Sequence, residues 1–185
     1  MNDDERGGSE IPDTELVQRA QKGDDAALDA LVRRHQDGAY RLALSYLRER
    51  GAAEDVVQDA FVKAMRALDG FRGDASFRTW LLRITANEAK GALRKAGRRG
   101  ETSLEDAAEV VTDHLDPAQW TTMNDQARRA RAALGTLPEK QRLSVALRTE
   151  EGLSFREIGE ITGSSEGAAR VNYFHGIRRL RELMQ

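Results

Sequence analysis

Apolar residues recur at steps of three and four along most of the chain, which is the spacing of one face of an α-helix. Three series show this spacing: Leu28, Leu31, Val32, His35, Ala39 and Leu42; Val56, Val57, Ala60, Phe61, Ala64, Met65 and Leu68; and Phe77, Trp80, Leu81 and Ile84. No stretch keeps the alternation of period two that is typical of a strand. The pattern predicts an all-α fold.

Glycine and proline positions divide this helical pattern into segments. Gly23, Gly51 and the loop at 70–74 are predicted to separate the first helices, and Pro138 is predicted to begin a later one. Between residues 101 and 122 the periodicity disappears and the composition becomes that of a linker. We therefore predict two small helical domains, with these boundaries: a disordered tail at 1–12, a first domain at 13–100, a flexible acidic linker at 101–123 and a second domain at 124–185.

The composition of the 185 residues excludes several classes of protein. Because the chain has no cysteine, it has no disulfide framework, thiolate zinc site, iron–sulfur cluster or cysteine nucleophile. No apolar run approaches the roughly 20 residues that span a bilayer. The polar first ten residues, MNDDERGGSE, do not resemble a secretory signal. We expect a soluble cytoplasmic protein with no membrane insertion.

Charge is segregated along the chain, although the net charge is only −2. Residues 1–30 hold nine acidic and three basic residues, whereas residues 62–100 hold three acidic and ten basic residues. Residues 101–127 hold seven acidic residues and no basic one, and residues 170–185 hold four arginines and one glutamate. Two basic segments separated by an acidic one fit binding to a polyanion, although solvated helix faces would give the same pattern.

The C-terminal segment has the signals of a helix-turn-helix. Ser154 and Glu157 form a predicted capping box, Gly163 supplies a tight turn, and Ser164 or Ser165 caps a second helix within two residues. The second helix is predicted to expose three polar residues and to bury an apolar stripe. The exposed residues are Arg170, Asn172 and His175, and the stripe is Tyr173, Ile177, Leu180 and Met184. Capped helical hairpins also occur in proteins that do not bind DNA.

No constellation of catalytic or metal-binding residues is present in the sequence. His35, His114 and His175 lie far apart, and no HExxH, P-loop or GxGxxG motif occurs. Because His35 continues an apolar stripe, we expect a partly buried, hydrogen-bonded side chain, and we expect His114 to be solvated in the linker. We predict that the protein is not an enzyme and has no metal and no cofactor.

Two stretches of the N-terminal half carry a family resemblance. Residues 53–68, AEDVVQDAFVKAMRAL, and 71–87, FRGDASFRTWLLRITAN, resemble region 2 of the extracytoplasmic-function (ECF) group of bacterial RNA polymerase sigma factors. The C-terminal stretch, LPEKQR followed by EGLSFREIGEITGSSEGAARVNYFHGIRRLREL, resembles region 4 of that group. The resemblance extends from about Thr14 to Met184. It implies a protein that binds core RNA polymerase, recognises the −35 and −10 promoter elements, and promotes DNA melting.

The resemblance implies that the helix at 53–68 binds the clamp helices of the polymerase β′ subunit. The matching polymerase-binding positions are Asp55, Gln58, Asp59 and Val62. Their spacing of three and four residues places them on one side of a helix. Carboxylates and an amide beside apolar groups suit a partner helix that carries arginines. A solvated acidic face above a core containing Phe61 is the alternative interpretation.

The resemblance implies that the loop at 70–76 and the helix after it bind the −10 element as a single strand. Capture of an unstacked base needs an aromatic or apolar wall and groups that reach base edges. The −10 residues are predicted to be Phe71, Arg83, Asn87, Lys90, Arg94 and Lys95. Among them, Asn87 matches a base-contact position of the family and the cations follow the phosphates. Trp80 is either a core residue or a stacking platform.

The resemblance also implies that the second helix of the helix-turn-helix enters the major groove of the −35 element. The predicted −35 residues are Ser165, Arg170, Val171, Asn172, His175, Arg178 and Arg179. Arginine pairs with guanine edges, asparagine with adenine, and an apolar group with the thymine methyl. The family implies two more contacts, the polymerase β flap near residues 138–148 and an anti-sigma factor. Two other hypotheses remain open: a helix-turn-helix regulator that binds duplex DNA without being a polymerase subunit, and an interaction module that binds no DNA.

Overall fold

The structure, a computed structural model, describes residues 11–99 and 125–184. Over these residues the chain forms eight α-helices and no strand, which confirms the all-α prediction. The helices are α1 (Asp13–Ala20), α2 (Asp25–Leu47), α3 (Arg50–Ala67), α4 (Phe77–Arg99), α5 (Asp125–Gly135), α6 (Glu139–Thr149), α7 (Phe155–Thr162) and α8 (Glu166–Met184). A short 3₁₀ helix, Leu68–Gly70, follows α3. The predicted linker, with His114, and most of the predicted tail lie outside the described residues.

Side chains as well as glycines determine where the first helices begin and end. Gly23 adopts a φ of 86° in the turn between α1 and α2, as predicted. The predicted break at Gly51 is wrong, because α2 ends at Arg48, a left-handed residue with a φ of 58°. The Glu49 carboxylate then accepts hydrogen bonds from the amides of Gly51 and Ala52, at 2.7 and 2.5 Å. This side-chain cap starts α3 before the glycine.

The helices α1 to α4, called here the N-terminal unit, pack around their own apolar core. Leu31 and Leu81 are fully buried in it beside Phe61 and Phe77. His35 is buried at its edge, where Nε2 lies 2.7 Å from Asp13 Oδ2 on α1. This contact confirms the expectation of a hydrogen-bonded histidine. The core places α3 and α4 side by side, and the other face of α3 is turned outward.

The helices α5 to α8, called the C-terminal unit, pack directly on the N-terminal unit. Helix α6 contacts α2, and α7 contacts α4. A single apolar core crosses the boundary between the two units. From the N-terminal unit it includes Leu42, Ala43, Tyr46, Ala53, Val56, Leu82, Ala86 and Ala89, and from the C-terminal unit Leu143, Leu147, Leu153, Ile158, Ile161 and Ala169. The sequence predicted two units, and this shared core was not foreseen.

None of the helices within the described ranges has an apolar stretch long enough to traverse a bilayer.

Candidate nucleic-acid interface

The outer face of α3 carries the four predicted polymerase-binding residues. Asp55, Gln58, Asp59 and Val62 are all exposed, and the Val62 side chain is 45% exposed. The opposite face of the helix is buried through residues such as Phe61. The structure therefore brings the four residues together on one open surface, here called the α3 face, and extends it with the exposed side chain of Met65.

The loop between α3 and α4 holds its aromatic residue against the unit. The ring of Phe71 is half-buried, with its centroid 4.8 Å from that of Trp80 and 6.1 Å from that of Phe77. Gln21 on α1 donates hydrogen bonds to the carbonyls of Leu68 and Phe71, at 2.9 and 3.1 Å. Sequence reasoning missed Gln21, because it lies 50 residues from the loop. Trp80 belongs to this aromatic cluster, which favours its interpretation as a core residue.

The other predicted −10 residues lie on one face of α4. Arg83, Asn87, Lys90 and Arg94 follow one another at steps of four, three and four residues, and Lys95 is adjacent to the last of them. Asn87, Arg94 and Lys95 are exposed, so their side chains are accessible to a DNA strand. We call this set the α4 face. It combines an amide with several cations, and cations that follow the backbone are one component of single-strand binding.

Lys90 of the α4 face is hydrogen-bonded to the C-terminal unit, and exposed Arg83 lies close to it. Lys90 Nζ donates to the carbonyls of Ile161 and Thr162 at the end of α7, at 3.3 and 3.0 Å. These carbonyls carry the negative end of the helix dipole, which attracts a cation. Arg83 Nη1 lies 3.9 Å from Glu160 Oε2 on the same helix. Burial lowers the pKa of Lys90 from its ordinary value.

The turn between α7 and α8 has the tight geometry of a helix-turn-helix. The predicted capping box at Ser154 and Glu157 is present, and Gly163 adopts a φ of 74°. A Cβ at Gly159 would lie 2.8 Å from the Ser164 carbonyl oxygen, closer than atoms pack, so only glycine allows this approach. Of the two predicted caps, Ser165 is the one that caps α8, through an amide hydrogen bond at 3.1 Å.

Helix α8 exposes most, but not all, of the predicted −35 residues. The exposed ones are Ser165, Arg170, Val171, His175, Arg178 and Arg179. Asn172 is half-buried because it lies beside the inward-facing positions of Ala169 and Gly176. The predicted burial of Met184 is wrong: it is 43% exposed, since it lies in the last turn beyond the packed helices.

Sequence reasoning also missed Phe174, whose side chain is 58% exposed in the middle of α8. It lies three residues after Val171 and four after Arg170, so the three share the outward face of the helix. An apolar residue at an exposed helical position was the available signal. We call these residues, with His175 and Arg178, the α8 face.

Arg170 is held in position by two neighbours. Its Nη2 donates to Glu166 Oε1 at 3.0 Å, and its guanidinium carbon lies 5.3 Å from the centroid of the Phe155 ring. A stacked, ion-paired arginine loses little further freedom when its planar group meets a base edge. The arrangement suits direct readout of a guanine.

The segment around α6 is less open than predicted for a flap contact. Residues 142–147 are buried, whereas Glu139, Lys140 and Arg148 are exposed. Arg142 donates through Nε to the Ser45 carbonyl of α2 at 3.0 Å, and burial lowers its pKa to about 10. Any flap contact in this arrangement is limited to the exposed residues.

Within the described ranges, no group of three or more histidine and carboxylate side chains is arranged to hold a metal ion. The residues of the three faces are cations, amides, apolar groups and the two carboxylates of α3.

Comparison with known proteins places both units in known families. The Sigma-70 region 2 family matches residues 31–99, and the Sigma-70 region 4 family matches residues 127–180. The ECF RNA polymerase sigma-E factor of Escherichia coli K12 is 38% identical over 173 residues, covering 89% of this chain and 90% of the relative. The RNA polymerase sigma-H factor of Pseudomonas aeruginosa is 34% identical over 181 residues, covering 94% of both chains.

Two solved structures are similar over both units. CnrH in complex with the cytosolic domain of CnrY is 28% identical with a TM-score of 0.65, and the match covers 93% of this chain and 96% of CnrH. The sigma factor RpoE of Bartonella quintana, in complex with the anti-sigma factor NepR, is 26% identical with a TM-score of 0.68. That match covers 84% of this chain and 95% of the relative.

Proposed function

This chain belongs to the ECF group of RNA polymerase sigma factors, and on that premise we propose which of its surfaces perform each step of initiation. As a member of the group it binds core polymerase, recognises the −35 and −10 elements and promotes DNA melting. It is a transcription initiation factor. The polymerase makes the phosphodiester bonds, and we propose that the chain itself catalyses no reaction and acts in the cytoplasm.

We assign the polymerase contact to the α3 face. The exposed carboxylates of Asp55 and Asp59, with Gln58 between them, offer acceptors to cationic side chains of the clamp helices. Val62 and Met65 add apolar area toward the C-terminal end of the same face. Because α3 is supported from behind by buried Phe61 and Val56, this surface is rigid before binding.

We assign the −10 strand to the α4 face. Asn87 has both a donor and an acceptor for a base edge, and Arg94 and Lys95 offer charge to the phosphates. Stacking of one base on an aromatic ring contributes about 1–3 kcal/mol, and Phe71 is the aromatic residue of the loop that precedes α4. Phe71 is packed on Trp80 here, so base capture requires a movement of the loop.

We assign the −35 element to the α8 face. Arg170 is oriented for a guanine, and Val171 and Phe174 offer apolar contact to thymine methyl groups. His175, Arg178 and Arg179 lie where they reach base edges or phosphates. Half-buried Asn172 contributes less than the sequence predicts.

The co-occurrence of the open α3 face, the α4 face and a helix-turn-helix in one chain carries this proposal. A regulator that acts on duplex DNA alone has no use for the first two surfaces. The test is run-off transcription with purified core polymerase and this chain on a library of duplex promoters. Initiation at defined sites supports the proposal. Binding to duplex DNA without any directed initiation would favour the regulator instead.

We further propose that an anti-sigma factor binds this chain. Both similar solved structures are of complexes with another protein, and one of them is named as a sigma factor bound to an anti-sigma factor. Co-purification of the tagged chain from its own host, followed by identification of bound proteins, tests this. Recovery of core polymerase alone would contradict it.

A further inference from the structure

The loop between α3 and α4 is anchored by a side chain from a distant part of the chain. Gln21, the residue that follows α1, donates from Nε2 to the carbonyl oxygens of Leu68 and Phe71, at 2.9 and 3.1 Å. An amide nitrogen carries two hydrogens, so both donors of Gln21 are used on this loop. The Leu68 carbonyl also accepts from the amide of Phe71, at 3.0 Å. These bonds fix the backbone at 68–71, called here the loop stem.

The turn between α1 and α2 holds Gln21 in place. Arg19 Nε donates to Asp24 Oδ2 at 2.8 Å, and Asp24 Oδ1 accepts from the amide of Ala27 at 3.1 Å, which caps α2. Helix α1 is itself packed into the core of the N-terminal unit through buried Leu16. Because both sides of the turn are fixed in this way, the amide group of Gln21 is a rigid support for the loop stem.

The part of the loop that follows the stem is open. The ring of Phe71 is half-buried against Trp80, whereas residues 72–74 are exposed. Gly73 adopts a φ of 79°, and a Cβ placed on it would meet no atom within 4 Å. Since the stem carbonyls are held and the tip is not, a movement that turns the Phe71 ring away from Trp80 involves that ring and the tip, while the stem stays where it is.

Resting on the proposed function, we propose that Gln21 is a positioning residue of the −10 site and sets how strictly one base is selected there. By holding the loop stem, Gln21 makes the Phe71 ring meet an unstacked base in one place. A loop with a free stem would have to be ordered during binding, and that cost weakens the preferred base as well as the others. Discrimination between bases needs groups that are held close to the productive geometry. Gln21 acts through the loop and not through a contact of its own with DNA.

The experiment measures base selection at each position of the −10 element. Gln21→Met keeps the length of the side chain and removes both donors. Gln18→Met makes the same change at an exposed position of α1 and serves as the control. Run-off transcription with core polymerase is measured on a promoter that the natural chain uses and on its single-base variants across the −10 element. The ratio of initiation with the preferred base to initiation with the other bases gives one discrimination value for each position.

We expect Gln21→Met to lower discrimination about fivefold to tenfold at one position, the lower part of the range that one stacked base contributes. This should be the position at which Phe71→Ala also lowers it. Discrimination elsewhere, and affinity for core polymerase, should stay within about twofold, because those contacts are distant from the loop stem. An equal decline at all positions, or none at any, would overturn the inference while the proposed function stands. If the natural chain shows no base preference in the −10 element, the proposed function is wrong.

Double variants test whether Gln21 acts through Phe71. If the stem positions the Phe71 ring, removal of the ring leaves Gln21 nothing to position, so Gln21→Met with Phe71→Ala should discriminate no worse than Phe71→Ala alone. Gln21→Met with Asn87→Ala should instead show both losses, each at its own position. Independent losses from Gln21→Met and Phe71→Ala would overturn the inference. Gln21→Glu keeps the size of the side chain but replaces its donor by an acceptor, and it should reproduce the profile of Gln21→Met even if the methionine variant folds poorly.

Discussion

The α3 face and the α4 face belong to adjacent helices of one unit, yet only the α3 face is open along its whole length. All four predicted residues of the α3 face are exposed, whereas Lys90 of the α4 face is hydrogen-bonded to α7 and exposed Arg83 lies near a carboxylate of that helix. The surface that we propose for polymerase is therefore unobstructed, while part of the surface that we propose for DNA is covered. If these assignments are correct, polymerase binding and promoter binding are separable properties of this fold. Variants should affect them separately.

The largest expected effect is loss of polymerase binding from the α3 face. Asp55→Arg with Gln58→Ala should weaken binding to core polymerase about 100-fold, because a reversed charge meets the cations of the clamp helices. Asp29→Arg with Gln36→Ala makes the same changes at exposed positions of α2 and serves as the control. Co-elution and a titration with labelled core enzyme measure the effect. Equal binding by the two variants, with unchanged helicity, would remove the α3 assignment.

The second prediction concerns the part of the α4 face that is open. Asn87→Ala should reduce run-off transcription from duplex promoters about tenfold, since a base-edge contact of this kind contributes about 1–3 kcal/mol. Affinity for core polymerase should stay within about twofold, because the α3 face is untouched. Both quantities are measured on the same preparations. A parallel loss of the two would show that Asn87 supports the fold rather than the −10 strand.

The third prediction extends the comparison to α8. Arg170→Ala should lower initiation about fivefold to tenfold on promoters with their −35 element intact, and should have little effect when that element is scrambled. Arg181→Ala removes a cation from the last turn of the same helix and is the matched control. Its effect should be the same on both templates. If the two variants behave alike, Arg170 contributes charge but no sequence readout.

The smallest expected effect is on the free energy of unfolding, through His35 at the edge of the core of the N-terminal unit. Burial lowers the pKa of His35 from 6.5, although Asp13 opposes this, while Arg34 and Arg78 also disfavour the cation. As the pH falls below about 6.5, the unfolded chain takes up a proton that the folded chain resists, so the free energy of unfolding decreases. Urea unfolding at about pH 7.5 and 5.5 measures this decrease. His35→Gln should flatten it, and an unchanged pH dependence would contradict the assignment.

Several features of the fold could be predicted from sequence because they depend on residues within one or two helical turns. The capping box at Ser154, the turn at Gly163 and the burial of His35 all follow from local spacing, and the structure contains each of them. The α3 face was predictable for the same reason, since positions three and four residues apart share one side of a helix. The predicted domain boundaries themselves remain a prediction.

Other features could not be predicted because neighbouring helices decide them. Asn172 and Phe174 are both in α8, and only the packing of that helix on α6 and α7 determines that the first is half-buried and the second exposed. The break before α3 was predicted at the wrong residue. The Glu49 side chain caps the N-terminus of α3, so the helix begins before Gly51. The pattern of apolar residues does not distinguish these cases.

The sequence by itself determined the helices, the two units and the residue types on each face, since each depends on residues that are close together in the sequence. Only the tertiary structure decided that Arg41 meets Glu151, 110 residues away, and that Lys90 meets Thr162, 72 residues away. Such pairs leave no periodic signal, because chain folding and not helical geometry brings them together. The packing of the two units on each other is therefore visible only in three dimensions.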